Sequence, residues 1–284
     1  MDRFSNRDQL RSFMKKESQR LGISIKNTYS TFISRSFLEK LSQNPDKKLI
    51  LVKGSSAETT YLGRLVRGIT DVDLASIHSL EFNKSLIESF IDDQKVNGLD
   101  FKMKKDPYTT PTGIYKFTFS ANLEKMNETL NVDFHENYDR LIERTESIMP
   151  KIFEGDKEFT IYTPSYEEYL AEKLCIILES NDLTKLNTRL KDFYDIYELH
   201  GGKYESEKLA AYFKWMLELR AKIALKDSTT DYLDKQFVEK HLELWQAIGK
   251  KYDFLDREID LQGAVYYTRA VLRENLQRNG VYIR

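Results

Sequence analysis

The stretch Lys48–Ser76, KLILVKGSSAETTYLGRLVRGITDVDLAS, decides the fold of this chain. It predicts a buried strand, a tight Gly-Ser-Ser turn, a short helix and a second strand that ends in Asp71-Val72-Asp73. Because side chains alternate along a strand, Asp71 and Asp73 point the same way. Two neighbouring carboxylates repel each other unless a cation lies between them, and Mg²⁺ or Mn²⁺ suits such a pair together with phosphate oxygens. The turn at a helix N-terminus favours an anion, so the stretch indicates a nucleotide-handling site. The alternative is a structural turn followed by a solvated pair of surface carboxylates.

Composition indicates a soluble protein without a global basic field. The chain has 284 residues, 40% of them hydrophobic, which is enough for one large or two ordinary domains. Charged residues make up 31% of the chain, yet the formal net charge is only -1. Nucleic-acid binding is therefore not indicated by overall charge, although a local basic patch can still provide it.

The single cysteine, Cys175, excludes an intramolecular disulfide and fits a reducing compartment. Cys175 and the four histidines show no zinc-ligand spacing. The first residues, MDRFSNRDQLRSFMKK, lack the apolar core of a signal peptide, and no apolar stretch approaches the ~18 residues of a membrane span. We expect a cytoplasmic protein with no membrane partner.

Hydrophobic periodicity predicts an α+β protein with a mixed sheet followed by a helical bundle. Two helices precede the opening stretch and are expected on the outside of their domain. A long connection between the first two of the later strands predicts a hairpin loop. Turn signals at Asn181-Asp182, Gly201-Gly202 and Asp227-Ser228 separate the helices of the bundle. The predicted helices are 4–21, 26–42, 79–94, 165–180, 188–199, 205–225, 231–252 and 261–278, and the predicted strands are 48–53, 99–104, 113–120, 129–136 and 158–162.

A third carboxylate, Asp133, lies on the polar face of the predicted strand 129–136. On a strand beside the aspartate pair, it could activate an attacking hydroxyl or complete the shell of a metal ion. The alternative is a solvent-facing position on a half-buried strand. The residues alone leave both interpretations open.

Lys173 falls within the apolar stripe of the predicted helix 165–180, three residues after Leu170 and four before Ile177. An ammonium at that position must extend to solvent or meet an anion, because burying it unpaired is costly. Near a nucleotide it would bind phosphate. Otherwise it is a lysine that reaches outward from the edge of the helix.

Further charged residues have two interpretations each. Asp192 and Asp195 lie three residues apart on a predicted helix and share one side of it, and Arg189 can pair with Asp192. The simpler interpretation is an ordinary first helical turn with an exposed ion pair. Arg64 and Arg67, just before the Asp71 strand, either reach a triphosphate or are ordinary surface arginines.

Four blocks of sequence resemble the AbiEii/AbiGii abortive-infection family of nucleotidyltransferase toxins. The blocks are VKGSSAETTYLGR leading to TDVDLAS, LNVDFHE, TPSYEEYLAEKL and RLKDFYDIYEL. They span residues from about 50 to 200, and the match rests on their order and spacing. The resemblance implies a polymerase-β-like nucleotidyltransferase domain over residues 1–160 and a helical bundle domain over residues 161–284.

The resemblance also implies roles for individual positions. The Gly-Ser motif positions the triphosphate, the Asp-x-Asp pair holds the metal, and the lysine and aspartate of the helical part complete the site. Many relatives have Gly-Gly-Thr where this chain has Gly-Ser-Ser, and the third strand carboxylate is less fixed in the family, so the base is either Asp133 or Asp192. The implied catalytic residues are Asp71, Asp73, Lys173, Asp192 and Asp133, with Asp71 and Asp73 as metal ligands, and the implied nucleotide-binding residues are Lys53, Gly54, Ser55, Ser56, Arg67 and Asp195.

We therefore expect a Mg²⁺- or Mn²⁺-dependent enzyme that transfers a nucleoside monophosphate from an NTP to an acceptor. The family implies a toxin with a partner antitoxin and, for some members, the 3′ end of tRNA as acceptor. The alternatives are a phosphotransferase of the same fold and a non-catalytic NTP-binding protein. We also expect the helical half to form the second wall of a cleft between the two domains.

Overall fold

The structure is a computed structural model in which the chain divides into two compact units, Met1–Pro164 and Ser165–Arg284. The first unit combines helices with β-sheet, and the described residues of the second unit contain helices alone. The α+β class predicted from the sequence is confirmed. The described residues are 3–76, 78, 80–91, 95–111, 113–135, 143–179, 189–199, 202, 204–220, 230–256 and 258–281.

A five-stranded mixed sheet forms the centre of the first unit, in the order β1-β2-β5-β4-β3. β2 and β5 run parallel to each other, while β1, β4 and β3 join the sheet by antiparallel pairing. The helices are α1 (Arg7–Leu21), α2 (Ile25–Ser42), α3 (Gly54–Leu62) and α4 (Leu80–Ile91), with a 3-10 helix at Pro45–Leu49. The strands are β1 (Leu51–Val52), β2 (Val72–Ala75), β3 (Asp100–Thr109), β4 (Ile114–Leu123), β5 (Met126–His135), β6 (Thr145–Met149) and β7 (Phe159–Thr163).

The β4–β5 hairpin fixes which side chains stand opposite each other in this sheet. Its register runs without a bulge from Leu123 opposite Met126 to Ile114 opposite His135. The two-residue connection begins at Glu124, whose φ of 50° is the positive value that short hairpin turns require. Because the connection has only two residues, it fixes the register of every residue pair further along both strands.

The helix α2 is buried on most of its surface, so its expected position on the outside of the domain is wrong. Phe32 of α2 packs edge-on against Phe4 and Phe153, at ring-centroid distances of 5.8 and 5.5 Å. Arg35 is 2% exposed, and its Nε lies 2.9 Å from Asp156 Oδ2. Burial lowers the pKa of Arg35, and the charge of Asp156 opposes that shift. This buried ion pair connects α2 to the segment that follows β6.

Several strands differ from their predicted bounds. β1 is only two residues long because Pro45–Leu49 forms a 3-10 helix in place of the start of the predicted strand. β2 begins at Val72 and continues to Ala75, whereas the prediction ended that strand at Asp73. β3 runs on to Thr109 through irregularities between Met103 and Tyr108, so most of the predicted hairpin loop is strand. β6 was not predicted, and it pairs with β7 in a separate two-stranded sheet.

The second unit is a bundle of five helices over its described residues, as predicted. α5 packs against α7, and α6 packs against α8 and α9. The predicted turns at 181–182 and 227–228, Gly201, and the predicted helical residues 221–225 lie outside the described residues. Among the helices that the structure describes, none combines the length and apolar character that crossing a membrane requires. The helices are α5 (Tyr166–Glu179), α6 (Leu190–Glu198), α7 (Ser206–Arg220), α8 (Lys235–Tyr252) and α9 (Leu261–Arg278).

Candidate active site

The start of α3 packs directly against the side chain of Asp73. The backbone N–H of Lys53 donates to the carbonyl oxygen of Asp73 at 2.8 Å, which extends the β1–β2 ladder to the first residue before the helix. Gly54 then turns the chain with a φ of +60°. A Cβ at Gly54 would lie 2.0 Å from Asp73 Oδ2, so only glycine fits. The predicted strand and short helix are confirmed, but the separate Gly-Ser-Ser turn is wrong, because Gly54, Ser55 and Ser56 form the first turn of α3.

The first turn of α3 holds two buried hydroxyl groups. Ser55 is 5% exposed and Ser56 is 1% exposed. The Oγ of Ser56 has no hydrogen-bond partner within the described part of the chain. The first N–H groups of a helix lack partners inside the helix and carry its positive dipole end. A buried hydroxyl beside such N–H groups fits an incoming phosphate oxygen.

Asp71 and Asp73 offer the oxygen ligands that a hard divalent ion prefers. Both residues are half-buried, Asp71 immediately before β2 and Asp73 within it. The hydroxyl of Thr70 lies 3.2 Å from Asp71 Oδ1. Among the described residues, no group of three or more His, Cys, Asp or Glu side chains lies close enough together to hold a metal ion. A pair of this kind fits Mg²⁺ or Mn²⁺ when phosphate oxygens and water supply the other ligands.

Asp133 stands beside Asp73 and is bound by a lysine that the sequence did not single out. β2 and β5 pair so that Asp73 is the register partner of Asp133, and Lys116 of β4 is the partner of Asp133 on its other side. Nζ of Lys116 donates to Oδ1 of Asp133 at 2.7 Å and to Oδ2 at 2.5 Å. Once the turn at Glu124 is known, counting outward from it along both strands pairs Lys116 with Asp133. Asp133 is therefore a partly exposed carboxylate that is paired with Lys116.

The charge of Lys116 is maintained by the acids around it. Its burial lowers the pKa, but the hydrogen bond and charge of Asp133 outweigh burial and hold the pKa of Lys116 above its usual value. The charge of Asp71 adds to this effect, although more weakly. Lys116 is therefore an ammonium at neutral pH, next to the predicted metal pair.

Arg67 is buried, and its interpretation as a surface arginine is wrong. It is 4% exposed, and its Nη2 lies 3.9 Å from Oε2 of Glu58, which is fully buried in α3. This contact joins the residues before β2 to the helix that begins at Gly54. Lys53 is buried as well, at 4% exposure. Arg64, in contrast, is exposed.

In the second unit, Lys173 meets two carboxylates of α6. Its Nζ lies 2.9 Å from Asp192 Oδ1 and 2.7 Å from Asp195 Oδ2, and 5.1 Å from the ring centroid of Tyr169. Lys173 is 6% exposed and the two aspartates are 3% and 0% exposed. The interpretation of Lys173 as a lysine reaching into solvent is wrong, and so is that of Asp192 as part of an exposed ion pair. The predicted pairing of Arg189 with Asp192 is confirmed, at 3.7 Å.

Similar solved structures place the fold in the nucleotidyltransferase class. MenT4, a nucleotidyltransferase toxin of Mycobacterium tuberculosis, has a TM-score of 0.56 and 17% identity, covering 94% of this chain and 98% of its own. A candidate nucleotidyltransferase of Helicobacter pylori has a TM-score of 0.50 and 16% identity, covering 87% of this chain and 95% of its own. JHP933 from Helicobacter pylori has a TM-score of 0.48 and 17% identity, with 90% and 94% covered.

The family follows from the sequence. The model of the AbiEii nucleotidyl transferase toxin, of type IV toxin–antitoxin systems, matches residues 36–266. The chain therefore belongs to this family of nucleotidyltransferase toxins, as its four sequence blocks predicted. No individually curated protein matches the chain.

Proposed function

We propose that this toxin transfers a nucleoside monophosphate from an NTP to a hydroxyl acceptor, with Asp71 and Asp73 holding Mg²⁺ or Mn²⁺ against the triphosphate. The observation that carries the proposal is the packing of Gly54 on Asp73, since a Cβ at Gly54 would lie 2.0 Å from the carboxylate. That contact brings an anion-binding helix N-terminus and a cation-binding carboxylate to the same place. A nucleotide–metal complex matches both, because it has negative phosphates and a positive metal ion.

Different residues of this chain would bind the phosphates and neutralise their charge. Ser55, Ser56 and the amides of the α3 turn bind the β- and γ-phosphates, with Lys53 and Arg67 beside them. A bound divalent ion would neutralise charge on the phosphates. Lys173 is proposed to neutralise developing negative charge on the triphosphate, with Asp195 holding the ammonium. Fixed charges of this kind are usually the largest contribution to catalysis, and positioning supplies most of the remainder.

The transfer step balances as a substitution at the α-phosphorus. The acceptor hydroxyl oxygen forms a bond to that phosphorus, the bond from it to the bridging oxygen breaks, and pyrophosphate leaves. The hydroxyl proton passes to a carboxylate, either Asp133 or Asp192. Each of these two aspartates accepts a hydrogen bond from a lysine, Lys116 and Lys173 respectively. Separate Asp133→Asn and Asp192→Asn variants distinguish the two as base.

The proposed acceptor is RNA, with the 3′ end of tRNA as the first candidate, and the proposed protein partner is an antitoxin. Both proposals rest on the family. The net charge of -1 provides no general attraction to nucleic acid. The acceptor would have to be recognised by local contacts.

Labelled nucleotides test the proposed transfer. The protein is incubated with total RNA and each of the four NTPs in turn, labelled at the α- or the γ-phosphate. We expect α-label on RNA, dependent on Mg²⁺ or Mn²⁺, and its loss in the double variant Asp71→Asn/Asp73→Asn. Asp100→Asn is the control, because Asp100 pairs with the exposed Lys102 on β3.

The position of the label decides between the alternatives. Transfer of γ-label would show a phosphotransferase. Nucleotide binding without transfer to any RNA or protein would show an NTP-binding protein. Transfer of α-label that survives in the double variant would overturn the roles of Asp71 and Asp73.

A further inference from the structure

The ammonium of Lys116 occupies both oxygens of Asp133 directly beside the predicted metal pair. The Nζ–Oδ distances are 2.7 and 2.5 Å. β2, β5 and β4 are neighbours in the sheet, and Asp73, Asp133 and Lys116 are register partners across them. Residues that stand opposite each other on adjacent strands point to the same face. The three side chains therefore form one row, which we call the Lys116 row.

The charges of the Lys116 row, taken together with Asp71 just before β2, suit one divalent ion. Asp71, Asp73 and Asp133 together carry three negative charges, and Lys116 returns one positive charge. The remaining two negative charges equal the charge of one Mg²⁺ or Mn²⁺. A second divalent ion at Asp133 would have to displace the Lys116 ammonium or lie in contact with it. Two positive charges in contact repel each other strongly.

The arrangement of the three carboxylates also favours a single metal ion. In two-metal sites, the ions lie about 3.5–4 Å apart and clamp the attacking and leaving oxygens. Such a clamp needs a carboxylate that reaches both ions or a third carboxylate turned toward the pair. Asp133 is the third carboxylate of this face, but Asp71, Asp73 and Asp133 do not form a metal-binding group of three. Asp133 is bound by Lys116 instead.

We propose that Lys116 takes the place of a second metal ion, so that this site binds one divalent cation per nucleotide. Asp71 and Asp73 hold that cation, and the Lys116 ammonium provides the positive charge at Asp133. Lys116 is a positioning residue, since it acts through Asp133. The inference rests on the proposed function, because it assumes that Asp71 and Asp73 bind a nucleotide-linked metal.

Counting bound Mn²⁺ tests the inference without measuring activity. The protein is equilibrated with Mn²⁺ and a mixture of the four α,β-methylene NTP analogues, and protein-bound Mn²⁺ is measured by electron paramagnetic resonance against bound nucleotide. We expect one Mn²⁺ per nucleotide in the wild type and two in Lys116→Met, because Asp133 then becomes available to a second ion. The double variant Lys116→Met/Asp133→Asn should return to one.

Lys102→Met is the matched control and should bind one Mn²⁺. Lys102 lies on β3 of the same sheet, is 70% exposed and pairs with Asp100 at 3.1 Å. Lys116→Gln is a second variant that removes the charge while keeping a hydrogen-bond donor, and thermal melting shows that each variant is folded. Two ions in the wild type, or one in both folded Lys116 variants, would overturn the inference and leave the proposed function standing. A folded wild type that binds no analogue would contradict the proposed function itself.

Discussion

At residue 54 the chain has room for a hydrogen atom and nothing larger. The φ of +60° and the contact with Asp73 act together there. Gly63, at the other end of α3, has a similar φ of +64° but nothing within 4 Å of an added Cβ. A substitution at Gly63 therefore introduces backbone strain alone, whereas a substitution at Gly54 introduces the same strain and a steric clash with Asp73.

Gly54→Ala should lower the rate of nucleotide transfer about 100-fold, while Gly63→Ala should only reduce stability. Each variant places alanine in the left-handed region, which costs about 1–2 kcal/mol of folding free energy. Gly54→Ala must also displace the Asp73 carboxylate, and a shift of about 1 Å in a catalytic group can cost on the order of 100-fold in rate. Urea unfolding and α-label transfer measure the two effects. Equal loss of transfer in both variants would contradict the importance of the Gly54–Asp73 contact.

The sequence was sufficient to predict the short helix and the aspartate pair, but it did not identify Lys116. Gly54, Asp71 and Asp73 lie within one short stretch, so their proximity follows from local strand and helix patterns. The pairing of Lys116 with Asp133 requires the hairpin register, and the sequence pattern did not mark the turn at Glu124. A lysine on a strand that alternates with apolar residues looks like an ordinary solvent-facing residue until its partner strand is known.

Among the elements, α5 and α6 are joined by a buried cluster of one lysine and two aspartates. Lys173 contacts Asp192 and Asp195 at 2.9 and 2.7 Å, and all three are buried. Removing one partner from such a group leaves an uncompensated charge, which is far more costly than replacing the whole group with neutral residues. The cluster therefore makes a structural contribution that must be separated from any catalytic one.

Lys173→Met should lower the free energy of unfolding by about 3–5 kcal/mol, because two buried aspartates lose their common cation. Lys235→Met is the control, since Lys235 is 83% exposed and pairs with Glu239 on the same helix. That exposed pair is worth about 0.3–0.5 kcal/mol. Urea unfolding monitored by circular dichroism gives both values.

The triple variant Lys173→Met/Asp192→Asn/Asp195→Asn separates the two contributions. It should regain most of the stability, because no buried charge is left without a partner. If the cluster is also catalytic, the triple variant should fold and still transfer no nucleotide. Recovery of transfer together with stability would contradict the proposed catalytic roles of Lys173 and Asp192.

Helices were better predicted than strands, for physical reasons visible in particular elements. α9 has its predicted bounds of 261 and 278, because an apolar stripe follows the N-cap Asp260, whose carboxylate accepts from the N–H of Gly263. β6 was missed because it has only five residues and a weak apolar pattern, in which Met149 is buried but Ile148 is exposed. β3 continues through Pro107, a residue that usually indicates a loop, because irregular pairing with β4 tolerates it there.

For the whole molecule, family membership gives a prediction in living cells. Expression of a nucleotidyltransferase toxin without its antitoxin should arrest growth, and Asp71→Asn/Asp73→Asn should remove the arrest, because the variant has lost the proposed metal ligands. Colony counts after induction measure the effect. Immunoblotting must show equal amounts of both proteins, and Asp100→Asn should remain toxic.

Persistent growth arrest by the Asp71/Asp73 double variant would indicate that toxicity does not depend on the proposed chemistry. Arrest by neither protein would mean that the host lacks the acceptor or that the chain is an NTP-binding member of its family. The α-label experiment distinguishes these two cases, because it uses purified protein and added RNA.

The parallel pairing of β2 with β5 has a consequence for the timing of synthesis. A ribosome makes the Gly54 turn, Asp71 and Asp73 early, and local contacts can form as soon as these segments emerge. Asp133 arrives only after α4, β3 and β4, and contacts between distant segments form late in folding. A nascent or prematurely terminated chain that lacks β5 thus carries Gly54, Asp71 and Asp73 without the strand that pairs with β2. The cell that makes this toxin is exposed to a complete Lys116 row only once β5 has been translated and has left the exit tunnel.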